Sequence, residues 1–371
     1  MPQTQESSSL KPAFEHGNVA VAFASDANYV PYLATTLRSI INHSSPENNY
    51  DLVVLSQGIA GADQQKIKAM TDGAANLSLR FLDVSAQVDK KTGGFFTSAH
   101  ISVATYYRLF TPAIFDQYSK LLYLDVDLVA LADVAELFRV DLDGAVAGAV
   151  RDYLAIKDLS RRSNAKWREQ LALREVSSYF NAGVMLLDLE QMRGENLEGK
   201  WFERLASLKT PRLHDQDILN SVCQGRIKYL DGSWNGAAWA EACGETIFSG
   251  ELPEFLYQEY IESQKAPRIL HYYSRHKPWN LPYLELAEHF WRFAAETPYF
   301  DRLIFNNLRR INAENDIFKA RLRMPPSRLK YWFYRLMIFL TFGGTKFKYM
   351  SKAFRSQKMN QGLKYTLQNW H

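Results

Sequence analysis

Apolar residues in this chain come in short dense runs separated by longer stretches of helical spacing. Asn18-Val-Ala-Val-Ala-Phe-Ala-Ser25 is the first such run, rich in Val and Ala. It reads as a strand buried on both faces, because neither parity of the run is polar. PYLATTLRSIINH then predicts a helix, DLVVLSQG a second strand, DQQKIKAMTDG a helix ending on Gly73, and LSLRFLDV a third strand. ATYYRLFTPAIF reads as one helix and KLLYLDVDLVA as one fourth strand. Strands alternating with helices of this length predict an α/β fold with a mostly parallel sheet flanked by helices.

Beyond Gly144 the pattern loosens. AVAGAV is a candidate strand, KDLSRRSNAKWREQLALREV a single charged helix, and YFNAGVMLLDL a firm strand. HDQDILNSVC opens a helix with His214 or Asp215 near its N-cap. Residues 232 to 267 are rich in aromatics and glycine without a period and read as an acceptor-side loop region; PRILHYYS is a short strand stopped by KPWN. The expected organisation is a polar tail over 1–17, an α/β domain over 18–280 and a helical, aromatic, basic region over 281–371.

Composition sets outer bounds. With 371 residues, 47% apolar and 23% charged types, the chain is neither disordered, collagen-like nor a polytopic membrane protein. Cys223 and Cys243 are too few for a disulfide framework or a cysteine-rich zinc site. The first seventeen residues lack an apolar core, so no signal peptide is expected, and a cytoplasmic protein is. Charge changes the picture more. Twelve of the 44 Lys and Arg fall from Phe318 onward, where Asp and Glu are absent, leaving 32 basic against 40 acidic side chains in the rest. An acidic body with a basic end points to two kinds of partner. Within that end YWFYRLMIFLTF is apolar nearly all round but too short to span a bilayer. It suits an interfacial helix on an anionic membrane, ahead of a helical cap on the body, while nucleic acid is disfavoured for want of a binding motif.

In open parallel sheets, ligands bind beyond the carboxyl ends of strands. Past the first strand stand Ala24, Ser25, Asp26, Ala27, Asn28 and Tyr29, a set suited to a base and ribose, or equally to an Asp-Asn turn with Tyr29 in the core. No GxGxxG or P-loop glycine run is present. Asp125-Val126-Asp127 follows a buried run, and two carboxylates at that spacing can hold Mg²⁺ or Mn²⁺, a histidine tilting the choice to Mn²⁺. The pattern is common: Asp141-Leu142-Asp143 and Asp215-Gln216-Asp217 repeat it. A DxD phosphatase of the haloacid-dehalogenase type is a rival, although its loop normally follows the first strand of its fold. Asn181 before Ala182 and Gly183, the polar His214–Asp217 run, and His271 to Trp279 with its imidazole and Lys277 complete the candidates.

Taken together, FASDANYV, HISVATYYRLF, LLYLDVDLV, YFNAGVMLLDL, HDQDILN and HYYSRHKPW stand in an order that resembles the retaining glycosyltransferases of family 8. The likeness runs from Val19 to Trp279, about 70% of the chain, and is strongest to the lipopolysaccharide α-galactosyltransferase branch. The resemblance implies a GT-A-type, Rossmann-like fold and transfer of galactose or glucose from UDP-galactose or UDP-glucose to a saccharide or glycolipid acceptor. It implies that Ala24, Asp26, Asn28 and Tyr29 hold uracil and ribose. Asp125, Asp127 and His271 would ligate Mn²⁺, with Val126 beside the nucleotide and Ser274 and Lys277 on the phosphates. Arg108, Asn181, Ala182, Asp215 and Gln216 would surround the donor sugar, with Asp152 towards the acceptor and Asp215, Gln216 and Asp152 forming the catalytic set. The family usually has glycine where this chain has Ser274. A non-catalytic, membrane-associated scaffold on the same fold is the alternative.

Overall fold

The computed structural model describes residues 10–91, 103–208, 210–237, 251–273, 277–281, 284 and 286–310. Two compact units divide at Leu303/Ile304, and of the second only residues 304–310, a helical stretch, are described. The first unit runs β1 (Asn18–Asp26), α1 (Val30–His43), β2 (Asn49–Gln57), α2 (Gly61–Lys68), β3 (Leu77–Asp83) and α3 (Ser85–Lys91). After a 3₁₀ stretch over Val103–Phe110 come α4 (Thr111–Ile114), β4 (Lys120–Leu124), β5 (Leu128–Ala130) and α5 (Val134–Phe138). Then follow β6 (Ala147–Arg151), α6 (Tyr153–Ser160), α7 (Ala165–Leu171), β7 (Phe180–Asp188), α8 (Leu189–Gly194), α9 (Leu197–Leu208) and α10 (His214–Val222). The unit closes with β8 (Ile227–Tyr229), β9 (Gly236–Ala237), α11 (Glu254–Lys265), β10 (Ile269–His271) and α12 (Ala287–Ala294).

Seven strands form the main sheet in the order β3-β2-β1-β4-β7-β6-β8. β3, β2, β1 and β4 are parallel, β7 is antiparallel to both neighbours, and β8 pairs parallel with β6. The dense apolar runs are explained by burial on both sides. Ala20, Ala22 and Ala24 of β1 pack into one core, while Val19, Val21 and Phe23 pack into the other. β4 divides likewise, Leu121 and Tyr123 against Leu122 and Leu124. On the second face α1 buries Val30, Leu33, Ala34, Leu37 and Ile40, the stripe expected of a helix on a sheet.

Several elements differ from the sequence expectation. The fourth strand does not continue through Asp125: β4 ends at Leu124, and β5 joins a separate three-stranded sheet, β5-β10-β9. The expected helix over ATYYRLFTPAIF is a 3₁₀ stretch followed by α4, which restarts around Pro112, a residue with no N–H to continue the ladder. The charged helix breaks at Arg161, whose backbone is extended, because Ser160 to Asn164 offers no apolar side chain to a core. Helix α10 is capped by Leu213 rather than His214 or Asp215. Within the expected loop over 232–267, α11 buries Leu256, Tyr260 and Ser263 at helical spacing, and residues 238–250 lie outside the described residues. α12 shares a small core with Tyr272 and Trp279 through Phe290 and Phe293. The basic stretch from Phe318 lies outside the described residues.

Candidate active site

The break between β4 and β5 builds the site. Asp125, Val126 and Asp127 are the three residues that carry the chain from the main sheet to the small one. Asp125 N–H donates to Gly183 O on β7 (2.8 Å), and Tyr272 N–H donates to Asp127 O (2.9 Å), so both ends of the crossing are pinned. Antiparallel pairing of β10 with β5 sets His271 opposite Leu128, which brings its ring to the carboxylates. His271 Nε2 lies 3.0 Å from Asp127 Oδ1 and 3.8 Å from Asp125 Oδ2. One ligand atom from each of Asp125, Asp127 and His271 falls within 4.8 Å of the others. The imidazole is 1% exposed, the two carboxylates 16% and 27%, so the cluster opens outward through its oxygens.

Two residues make this geometry possible: Asn235, which the sequence alone did not single out, and Gly183, which it placed beside Asn181. Asn235 Oδ1 lies 2.8 Å from His271 Nδ1, which orients Nε2 towards the carboxylates when Nδ1 carries the proton. Gly183 is the second: a Cβ there would overlap His271 Cε1 and sit 2.7 Å from Asp125 Oδ2. Only glycine leaves that space.

The donor set fits a hard divalent cation, with two carboxylates and one oriented imidazole. Lys277 Nζ ion-pairs with Asp127 Oδ2. Burial alone would raise the Asp127 pKa, but the Lys277 ammonium and His271 outweigh it and hold the carboxyl well below its usual range.

Beside the cluster, Arg108 is buried and fully engaged. Its Nη2 meets Asp125 Oδ1 at 2.7 Å, its Nε lies 2.7 Å from Asp215 Oδ2, and Nη1 donates to Ala182 O. The Tyr123 ring lies 4.5 Å from the guanidinium carbon. Burial opposes its charge, yet Asp125 and Asp215 keep it firmly protonated. Asp215 also accepts from Thr105 Oγ1, a partner not anticipated from sequence. Burial still prevails over Arg108 and raises the Asp215 pKa.

Gln216 is held at both ends: Ala182 N–H donates to Oε1 (3.0 Å), and Nε2 donates to Asp152 Oδ2 (3.0 Å). Asp152 Oδ1 caps α6 at Ala155 N (2.9 Å), and Asn181 Nδ2 donates to its Oδ2 (3.1 Å). Asn181 Oδ1 in turn accepts from Gly183 N and Asn235 Nδ2. The amide and carboxylate residues of four separate segments thus form one network.

A cavity of about 300 Å³ lies over these groups. Its lining includes Asp125, Asp127, His271, Arg108, Asn181, Ala182, Asp152, Asp215 and Gln216, and adds Thr105, Trp167, Arg212 and Tyr273. The β1 end is not part of that lining. There Ala24 is buried, and Asp26 Oδ1 accepts from the N–H groups of Asn28 (2.8 Å) and Tyr29 (3.2 Å), a side-chain turn of the kind the sequence allowed. Asn28 is exposed, Val126 is buried, and burial with the nearby Asp127 charge pushes the Tyr29 hydroxyl up to about 12. Ser274 lies outside the described residues.

An open α/β sheet, with its polar residues collected beyond the strand ends and a carboxylate–imidazole cluster where two sheets meet, defines a GT-A-type fold. The chain belongs to glycosyl transferase family 8, whose profile matches residues 20–281. Membership displaces the phosphatase reading. It is similar to the general stress protein A of Bacillus subtilis, 24% identical over 70% of this chain and 87% of that one. It is 28% identical to the lipopolysaccharide 1,2-glucosyltransferase of Escherichia coli K12, over 76% of this chain and 79% of the relative. Among solved structures, the WbbM bifunctional glycosyltransferase superposes with a TM-score of 0.71 at 28% identity, over 81% of this chain and 53% of WbbM. The galactosyltransferase LgtC superposes at 0.63 and 24% identity, over 75% of this chain and 96% of that one. The chain thus spans about half of WbbM and, at 62%, less than two thirds of a putative Haemophilus influenzae glycosyltransferase.

Proposed function

We propose that this protein transfers galactose or glucose from a UDP-sugar, with retention at the anomeric carbon, to a saccharide acceptor such as a surface glycolipid. The observation that carries the reading is the Asp125–Asp127–His271 cluster beside the Arg108–Asp215 and Gln216–Asp152 networks, all facing one cavity. Asp125, Asp127 and His271 would hold Mn²⁺ or Mg²⁺. When bound, such an ion supplies positive charge against which a diphosphate can depart.

The chain's own residues divide the remaining work. Lys277 stands on Asp127 and can offer its ammonium to a phosphate, adding fixed charge where the leaving group becomes anionic. Asp26, Asn28 and Tyr29 present polar groups and an aromatic ring for ribose and uracil. Arg108 and Asn181 anchor the donor-sugar side. Retention by double displacement needs a carboxylate free to attack. Asp215 is engaged by Arg108 and Thr105, Asp152 by Ala155, Asn181 and Gln216, and Gln216 is an amide held at both ends. Those commitments favour same-face transfer, with the departing phosphate taking the acceptor's proton and Asp215 and Gln216 positioning the sugar.

Among the described residues no helix is long and apolar enough to cross a membrane. The proposed location is the cytoplasmic face of an anionic membrane, supported by the twelve cations and the YWFYRLMIFLTF segment from Phe318 onward. The deciding experiment for the activity is release of UDP from UDP-galactose and UDP-glucose with and without Mn²⁺. A chain that binds neither nucleotide nor cation would instead fit the scaffold reading.

A further inference from the structure

Part of the cavity wall has no assigned task. It comes from α6, α7 and the turn before α10, and carries Leu154, Asp158, Trp167 and Arg212. Trp167 is rigid: its indole Nε1 donates to the buried Asp217 (3.1 Å to Oδ2), which also accepts from Tyr179 OH (2.7 Å) and Leu213 N (2.9 Å). The Arg212 guanidinium carbon lies 4.6 Å from the centre of that indole ring. Its Nη1 donates to Asn164 Oδ1 at 3.1 Å. The cation is therefore placed over a hydrogen-bonded indole ring, and among the described residues Asn164 takes only one of its five N–H donors.

Arg212 differs from the other cations of the cavity. Arg108 lies between Asp125 and Asp215, and Lys277 lies on Asp127. Asp158, the carboxylate on the same wall, is paired with Arg161 at 3.1 Å. No carboxylate lies within ion-pairing distance of Arg212 among the described residues. A prepositioned guanidinium fork of this kind matches the paired oxygens of a phosphate or carboxylate.

We infer that Arg212, held over Trp167, makes this wall a subsite for an acceptor saccharide that carries a phosphate or a carboxylate. The inference rests on the transferase reading and adds the chemical class of the acceptor. Arg212 supplies the charge that selects an anionic ring over a neutral one, and Trp167, buried beneath it, fixes where that charge stands.

The test is calorimetric titration of the full chain, with and without UDP and Mn²⁺, using glucose 6-phosphate, glucuronate and glucose as probes. Wild type should bind at least one anionic sugar about tenfold more tightly than glucose, the size expected of a charged hydrogen bond at a partly open site. Comparing the phosphate with the carboxylate identifies which anion the fork takes. Arg212→Gln should erase the preference and Arg212→Lys should retain part of it, with UDP affinity unchanged in both. Equal binding of charged and neutral sugars by wild type overturns the inference, as does a preference that survives Arg212→Gln. A tenfold loss of UDP affinity in Arg212→Gln also overturns it, assigning the cation to the donor diphosphate. Failure of wild type to bind UDP with Mn²⁺ would sink the transferase reading through a separate measurement, while the UDP-free sugar titrations still decide the anion preference.

Discussion

Gly183 and His271, 88 positions apart in the chain, share a space that holds only one of a Cβ or an imidazole edge. β7 runs beside β4 so that Gly183 O accepts from Asp125 N, and β10 delivers His271 to the same point from the small sheet. The cluster that could hold a cation therefore depends on a side chain that is missing.

Gly183→Ala is expected to push the His271 ring away from Asp127 and weaken Mn²⁺ binding by about tenfold or more, with overpacking costing ~1–3 kcal/mol of stability. Mn²⁺ titration followed by electron paramagnetic resonance, alongside a urea melt, separates the two effects. Unaltered Mn²⁺ affinity in a folded variant would remove His271 from the ligand set.

Asp127→Ala should lower turnover by about 1,000-fold or more, since it removes a ligand of the cation whose charge the departing diphosphate needs. Gln216→Ala should lower turnover by about 10- to 100-fold through loss of positioning, and leave UDP affinity within about twofold. Steady-state kinetics with UDP titrations of both variants gives the comparison. Equal loss of UDP affinity in the two would contradict the division between donor-phosphate and donor-sugar sides.

Asp217→Asn is expected to cost about 1–3 kcal/mol. Four donors converge on this carboxylate, from Trp167, Tyr179, Leu213 and the Arg212 backbone, and an amide must turn an NH₂ towards one of them. Burial raises the Asp217 pKa despite those donors. The native carboxyl therefore titrates above the unfolded value of ~3.9, and its share of stability is lost as pH rises through that interval. Denaturant melts of wild type and Asp217→Asn between pH 4 and 8 should show a steeper limb in wild type, since Asp215, raised in the same direction, contributes equally to both.

Asp127 has the opposite sign in the cation-free protein. Its pKa is depressed, so its contribution is present above ~3.9 and is lost as pH falls through the lower native value. Lys277→Met should remove much of the depression and move the acid loss of stability to higher pH. Acid titrations in the presence of EDTA, read by circular dichroism, check the shift; coincident curves would mean the ion pair contributes nothing.

Removing residues from Phe318 onward should release the protein from anionic vesicles and leave UDP-sugar hydrolysis largely intact. Each of the twelve cations could contribute up to about 1 kcal/mol near a negative leaflet, and the apolar segment adds a part that salt screens less. Flotation with anionic liposomes at low and high salt measures both. A truncated chain that still floats would place the membrane surface elsewhere.

Much of this architecture is legible in the chain because its central strands are buried on both faces. NVAVAFAS and KLLYL have no polar parity, and that alone marks interior strands of a layered sheet. Asp125, Asp127, Asn181, Asp215, Gln216 and His271 were legible too, as polar residues where strands and helices end, and they do meet in one cavity. Tertiary structure decided the rest. Nothing local says that a strand of eleven residues should break at Asp125 and change sheets; that follows from β10 arriving to pair with Leu128–Ala130. Neither does local sequence tell that Asn235 orients His271 or that Thr105 reaches Asp215, contacts spanning 36 and 110 positions. Hydrophobic period reports which face of an element is buried, but which polar side chains converge is set by strand order and register. Gly183 shows the difference most plainly, since the space it leaves has meaning only once β4, β7 and β10 have come together.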